Sequence, residues 1–179
     1  LETPTHVTLD SPAVECYDQG SWGTCGTTSY SNMLRFVRHK QGQPIYAPSR
    51  MFLYYNARAL LGPGFTSIDS GCMLRDVMKS AQHDGAPPED AWDYSPAHLY
   101  SPPSAPVSTL ALDFQNLEYQ RLSGNLNDVL SCLTEGYPFI FGFTVYESFE
   151  SPFVVSTGMM PTPMPDRESI MGRHAVYCD

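Results

Sequence analysis

Residues 18–29 read DQGSWGTCGTTS, and the expected architecture of the chain follows from this stretch. Glycines at positions 20, 23 and 26 make the backbone around Cys25 tight and open to close approach by another backbone. Directly afterwards, apolar residues recur at the spacing of one helix face: Tyr30, Met33, Leu34 and Val37. We therefore expect Cys25 at or near a helix N-terminus, where unpaired N–H groups and the helix dipole favour a thiolate over a thiol.

The residue type just upstream of this turn supports a reactive role for the cysteine. The side-chain amide of Gln19 is a candidate donor to an oxyanion formed on a carbonyl that Cys25 attacks. The alternative is a buried structural cysteine at the start of an ordinary core helix. The order of glutamine, glycine-rich turn, cysteine and amphipathic helix favours the nucleophile.

Composition and charge limit the class of protein. A length of 179 residues fits one domain, and a formal net charge of −9 with only 10 Lys and Arg argues against nucleic acid or an anionic membrane surface as partner. No apolar run approaches the roughly 20 residues that span a bilayer, so no transmembrane helix is expected.

The five cysteines show neither a C-x-x-C motif nor a regular spacing. A zinc site, or any other metal site, is therefore not expected. An odd count leaves at least one thiol free. A bridge between Cys16 and Cys72 is one option, and the sequence does not decide the pairing.

The order of predicted elements, helices first and strands afterwards, indicates an α+β fold. Helices are predicted over 51–61 after a Ser49 cap, from 73 to before Gly85, and from an Asn125 and Asp128 cap to before Gly136. Strands are predicted over 109–122, over 137–146 as a buried strand, and around His174. An extended arm is expected over 1–14, an irregular crossover with aromatic anchors over 86–106, and a long loop over 149–170.

The motif at residues 18–26 resembles the nucleophile motif of papain-like cysteine peptidases, most closely their bacterial and viral branch. The resemblance implies that Cys25 is the nucleophile, that Gln19 donates to the oxyanion and that Gly23 lines the S1 site. It also implies one domain over 1–179 with two lobes: a mainly helical lobe over 15–108, and an antiparallel β-barrel-like lobe formed by 1–14 and 109–179.

A second stretch, MGRHAV at 171–176, is similar to the segment that supplies the catalytic histidine of this family. The resemblance implies that His174 is the acid and base, and it makes Ser70 and Gly71 candidates for pairing with a substrate backbone. A helix cap and turn is the alternative for these two residues, and both functions are compatible. An ordinary half-buried strand histidine is the alternative for His174.

The implied activity is hydrolysis of peptide bonds in peptide or protein substrates through a thiolate–imidazolium pair of Cys25 and His174, without a metal or organic cofactor. A second hypothesis is a catalytically weak or inactive papain-fold protein that binds peptides or proteins. A third is acyl transfer by the same thiol, since the nucleophile and oxyanion donor do not specify the acceptor.

The chain departs from the family pattern in three places. Family members carry an Asn and a Ser-Trp-Gly segment after the histidine, whereas this chain ends at Asp179, so a missing C-terminal segment, or a pro-segment, is a candidate partner. Arg173 stands beside His174, where its charge would disfavour imidazolium if the guanidinium lies close. Trp22 stands where many lysosomal and plant members have a disulfide cysteine.

Overall fold

The computed structural model describes residues 6–9, 16–116 and 118–179. Within them the chain forms helices and then a hairpin-like pair of strands. The helices are α1 (Cys25–Lys40), α2 (Arg50–Ala59), α3 (Leu74–His83), α4 (Ala105–Ala111), α5 (Leu126–Thr134) and α6 (Pro152–Thr157), and the strands are β1 (Phe139–Tyr146) and β2 (Ile170–Cys178).

The first three helices follow the predicted pattern closely. Helix α1 begins at Cys25, and its last turn carries a basic cluster that suits the negative end of the helix dipole. The Oγ of Ser49 accepts a hydrogen bond from the N–H of Phe52 at 3.1 Å, which confirms the predicted cap of α2. The Asn125 cap of α5 is also confirmed, since its side chain accepts from the N–H of Asp128 at 2.8 Å.

The core lies between α1, α2 and α3. Its main cluster has buried side chains from all three helices and the turn after α3: Tyr30, Leu53, Ala57, Val77, Met78, Ala81 and Ala86. A second cluster of Met51, Tyr54 and Leu99 lies on the side of α2 that faces the irregular segment over 86–104. Burial of this apolar surface is the main term that holds the helices together.

Strands β1 and β2 pair antiparallel, with Phe143 opposite His174 and an irregularity between Val145 and Tyr146. The described residues contain this two-stranded sheet only, so the predicted barrel-like lobe is not seen in them. The prediction of a buried strand over 137–146 was also wrong in part, because Val145 is the one buried residue of β1 and Phe141 is 39 % exposed.

The predicted strand over 109–122 is wrong. Residues up to 111 complete α4, and residues 112–114 form a 3₁₀ turn. The backbone that follows bonds to the C-terminal part of α3 instead of to a strand: the Phe114 carbonyl accepts from the N–H of Ala86 at 3.1 Å, and the N–H of Asn116 donates to the Ala81 carbonyl at 3.0 Å. Backbone groups already satisfied in this way are not available to a sheet.

Two other connections differ in detail from the sequence predictions. The expected loop over 149–170 contains α6, which is capped by the Ser151 side chain and ends at Gly158 with a positive φ of 69°. The crossover over 86–106 is irregular and aromatic-anchored as predicted, with Trp92 stacked on His98 at 3.7 Å between ring centroids. Most of the predicted arm over 1–14 lies outside the described residues.

Candidate active site

The turn that precedes α1 is closed by its own hydrogen bonds. The Asp18 carboxylate accepts from the N–H of Gly20 at 2.7 Å, and Gly20 has a φ of +61°, which a residue without a Cβ adopts readily. The Trp22 carbonyl accepts from the N–H of Thr24 at 2.8 Å and from Nε2 of Gln19 at 2.9 Å. This arrangement brings Gln19 back beside the start of the helix that carries Cys25.

Tyr94 fastens this turn to the rest of the molecule, and sequence reasoning assigned it no specific contact. Its hydroxyl donates to the backbone carbonyl of Gln19 at 2.8 Å and lies 2.5 Å from Oγ1 of Thr24. The centroid of its ring lies 5.3 Å from the centroid of the Trp22 ring. The guanidinium carbon of Arg50 lies 3.7 Å from the centroid of the Tyr94 ring. The hydrogen-bond partners of Tyr94 are 70 or more residues away in sequence, so only the general expectation of aromatic anchors pointed to it.

Gly23 is held by a second network, from the opposite direction. Its N–H lies 3.1 and 3.2 Å from the two carboxylate oxygens of Asp69. The Tyr54 hydroxyl donates to Asp69 in a short hydrogen bond and accepts from the N–H of Gly71 at 2.9 Å. Burial and the bond to Asp69 raise the pKa of Tyr54, so the hydroxyl stays a donor. Two glycines predicted to line the substrate path are thereby joined through the Asp69 carboxylate and the Tyr54 hydroxyl.

No side chain fits at position 23. A Cβ there would lie 2.9 Å from the backbone nitrogen of Gly71 and 2.9 Å from the Tyr54 oxygen. The third predicted substrate residue, Ser70, is exposed, and its hydroxyl donates to the Gly71 carbonyl at 3.0 Å. The structure therefore brings Gly23 and Gly71 together, with Ser70 at the edge.

His174 lies in the middle of β2, half-buried. Its ring makes an edge contact with Phe143 and a tilted contact with Phe149, at centroid distances of 5.9 and 6.3 Å. Burial lowers the pKa of His174, and the carboxylate of Glu150 acts in the opposite direction. His174, Phe149 and Glu150, together with the exposed Arg173, line an open cavity of about 250 Å³.

A buried hydrogen bond ties α1 to β2 next to this histidine. The Oγ of Ser29 donates to the Ala175 carbonyl at 3.1 Å, across 146 residues of sequence. Ser29 lies about one helical turn after Cys25, so the two share a face of α1. Ala175 follows His174 directly. The helix start and the histidine strand are thus fixed against each other.

The remaining thiols differ in environment from Cys25. Burial and the neighbouring Cys25 raise the pKa of Cys72 to about 12, and its Sγ lies 3.8 Å from the place a Cβ would take at Gly26. All five cysteines fall within the described residues and all are free, so Cys16 and Cys72 do not form a bridge.

The part of the chain that the structure describes contains no group of three or more His, Cys, Asp or Glu side chains able to hold a metal ion. Its helices also include none with the length and apolarity needed to cross a membrane.

A cysteine at the start of a helix that packs against a histidine-bearing strand defines a class of α+β thiol peptidase folds, and comparison with known proteins identifies the family. The chain is 30% identical over 168 residues to an uncharacterized peptidase C1-like protein of Acanthamoeba polyphaga mimivirus. The matched region covers 89% of this chain and 53% of that protein. The chain thus spans about half the length of this curated relative. No protein-family model matches it.

Among solved structures the chain is similar to xylellain, a cysteine protease from Xylella fastidiosa. The two share 30% sequence identity with a TM-score of 0.86, over 99% of this chain and 69% of the xylellain chain. The chain belongs to the papain-like cysteine peptidase family and has its α+β fold.

Proposed function

We propose that this chain hydrolyses peptide bonds in peptide or protein substrates, with Cys25 as nucleophile, His174 as acid and base, and Gln19 as oxyanion donor. The observation that supports this best is the Ser29–Ala175 hydrogen bond, which fixes the helix start that carries Cys25 against the strand that carries His174. The similarity to a cysteine protease of known structure supports the same reaction.

In the proposed reaction the Cys25 thiolate attacks the substrate carbonyl carbon while the histidine is protonated. The carbonyl oxygen, which becomes negatively charged, accepts hydrogen bonds from the Gln19 amide and the Cys25 N–H. Nε2 of Gln19 has two hydrogens and uses one on the Trp22 carbonyl, so one remains for this bond. The carbon–nitrogen bond then breaks, and His174 protonates the leaving amine.

The acyl group, held as a thioester on Cys25, is released by water in the second half of the reaction. His174 takes one proton from the water as its oxygen attacks, and the collapse of the intermediate restores the thiolate. The buried surroundings of His174 favour its neutral form, which suits the base of this step. The charge on the thiolate favours imidazolium in the first step.

The proposed substrate path runs along Gly23 and Gly71, with Ser70 at its edge. Both glycines lack a side chain and are held by hydrogen bonds to Asp69 and Tyr54, so a substrate backbone meets a fixed surface. Such a surface lowers the conformational cost of binding and orients the scissile carbonyl towards Cys25.

The test is cleavage of a fluorogenic peptide library by the chain and by single variants. Cys25→Ala and His174→Ala are expected to abolish turnover, and Gln19→Ala to reduce kcat by about 10²–10³-fold. Cys132→Ala is the matched control, because it removes a thiol of α5 that donates to the Tyr137 carbonyl and takes no part in the proposed reaction. Turnover that survives Cys25→Ala would contradict the proposal.

A second candidate is a peptide-binding protein with the same fold and little or no activity. The observation that favours it is the lowered pKa of His174, since neutral imidazole does not stabilise a thiolate. Here the chain would bind peptides in calorimetry with equal affinity before and after Cys25→Ala, and would not turn them over.

A further inference from the structure

We propose that Asp69 is a specificity-determining residue, whose carboxylate selects a lysine or arginine side chain in the substrate residue immediately before the scissile bond. This inference rests on the proposed peptidase function and adds a substrate class to it. Four observations on the described residues support it: position, charge, spare hydrogen-bonding capacity and rigidity.

The position of Asp69 follows from its hydrogen bond to Gly23. Both of its oxygens lie within 3.2 Å of the Gly23 nitrogen, two positions before Cys25. Consecutive Cα atoms are about 3.8 Å apart, so the carboxylate lies within roughly 12 Å of the Cys25 Cα. Gly23 is the residue proposed to line the site for the substrate side chain before the scissile bond, so the carboxylate lies beside the path of that side chain. Lysine and arginine carry their charge at the end of a long side chain, which suits a carboxylate set back from the nucleophile.

The charge of Asp69 is not neutralised by a neighbouring ion pair in the described part of the chain. The four salt bridges found there join other residues. The nearby cation Arg58 is fully buried, and its nitrogens donate to the backbone carbonyls of Tyr54, Ile68 and Leu99. Asp69 itself is exposed, so a substrate cation can approach it.

The carboxylate also keeps unused acceptor positions. Two oxygens offer about four lone-pair sites, and the Gly23 N–H and the Tyr54 hydroxyl are the donors found on them. The Tyr54 bond falls on Oδ1, so Oδ2 has capacity for an ammonium or guanidinium group.

Tyr54 makes the position of this carboxylate rigid. Its hydroxyl connects Asp69 with the N–H of Gly71, and Tyr54 itself is fully buried in the core. A carboxylate held before the substrate arrives selects between side chains at a smaller entropic cost than a mobile one. A purely structural carboxylate would hold the same turn, so the test must separate charge selection from support of the backbone.

The experiment compares kcat/KM on three peptides that differ only before the scissile bond, where they carry Arg, Gln or Glu. The wild type is expected to prefer Arg to Glu, and Asp69→Asn to reduce the Arg:Glu ratio by about two- to fivefold, as loss of one exposed ion pair predicts. Tyr54→Phe keeps the charge but loosens the carboxylate, so it is expected to slow all three peptides and to change the ratio less than Asp69→Asn does. Asp69→Glu, which keeps the charge, should retain part of the preference for Arg over Glu that Asp69→Asn loses.

Asp113→Asn is the matched control, since it removes an equal charge from an exposed position beyond the far end of α3. It should leave the Arg:Glu ratio unchanged. If Asp69→Asn lowers kcat/KM equally for the three peptides, the carboxylate has only a structural role and the proposal is overturned. If Asp69→Asn does not fold, the wild type is measured at different ionic strengths instead. An Arg:Glu ratio that does not fall between about 10 mM and 1 M ionic strength also overturns the proposal.

A readout without turnover separates this inference from the proposed function. The labelling rate of Cys25 is measured with a cationic methanethiosulfonate reagent and with its neutral methyl analogue. Asp69→Asn should reduce the cationic:neutral rate ratio about threefold or more relative to Asp113→Asn. A reduced ratio in a chain that cleaves none of the peptides would support the cation site and contradict the peptidase function. An unchanged ratio would overturn the cation site alone.

Discussion

The ring of His174 packs beside two phenylalanines, and this contact opposes the charge that the first step of the proposed reaction needs. Burial against Phe143 and Phe149 lowers the pKa of the histidine, because an imidazolium loses hydration there. The carboxylate of Glu150, in the 3₁₀ turn after β1, raises the pKa of His174 and so opposes the effect of burial. At the scale of single residues, the protonation of His174 therefore depends on both its apolar neighbours and this one carboxylate.

Glu150→Gln is expected to lower the pKa of His174 further, because it removes the carboxylate that favours imidazolium. The folded-state pKa already lies below its ordinary value near 6.5, so protons bind the unfolded chain more readily. Stability is then lost as the pH falls from about 6.5 towards the lowered folded-state pKa, and the total loss is larger in the variant. An NMR titration of the His174 ring measures the pKa directly. Glu147→Gln, in the same turn, is the control, and a rise or no change in Glu150→Gln would refute the expectation.

At the scale of elements, the joint between α3 and the segment after α4 is fixed by a glycine. Gly85 has a φ of +89°, and a Cβ at this position would overlap the carbonyl of Ala111. The close approach lets the N–H of Ala86 reach the Phe114 carbonyl at 3.1 Å. Both the backbone conformation and the packing therefore require glycine.

Gly85→Ala should destabilise the chain by at least about 3 kcal/mol, from strain at a positive φ together with a clash against backbone atoms. Gly124→Ala is a matched control with a similar φ of +86° and open space around the position. It should cost about 1 kcal/mol from the backbone conformation alone. Urea unfolding followed by circular dichroism gives both values, and similar losses for the two variants would contradict this account of the joint.

The contact between α3 and the segment after α4 illustrates why some elements were predicted from the sequence and others were not. Helices α1 to α3 and the Ser49 and Asn125 caps were predicted because their signals, apolar spacing and a capping side chain, are local. The strand predicted over 109–122 failed because its backbone bonds to Ala81 of α3 and to Ala86 just after that helix, contacts that no local pattern reveals. The predicted barrel-like lobe came from the family resemblance and is not seen in the described residues.

The same division holds for the candidate site. Cys25 and Gln19 stand in one motif, so their proximity was predictable, and the structure places them in one turn. Tyr54, Asp69 and Tyr94 were missed because each acts through partners at least 15 residues away. Tyr and Asp are common in turns and cores, so their residue types alone gave no signal.

At the scale of the whole molecule, the helices and the strands are joined at both ends of α1. Near its start, Ser29 donates to the Ala175 carbonyl of β2. At its end, the Lys40 ammonium donates to the carbonyls of Glu135 and Gly136, at 2.7 Å each, and lies 3.7 Å from the Tyr137 ring centroid. The Lys40 contact satisfies carbonyls at the end of α5 and places a cation at the negative end of its dipole.

Lys40→Met is expected to loosen this second connection while it keeps the apolar stem of the side chain. We expect a loss of about 1 kcal/mol, since the ammonium is exposed and water replaces part of its bonding. Hydrogen exchange should speed up at β1 and β2 more than at α2 and α3, because Lys40 is a tie between the two groups of elements. Lys79→Met is the control: its exposed ammonium lies 3.6 Å from the largely buried Asp76 carboxylate within α3, so the loss should stay below about 1 kcal/mol and should not fall selectively on β1 and β2. Uniformly faster exchange in Lys40→Met would mean that helices and strands open as one unit, and that α1 carries no separable joint at this end.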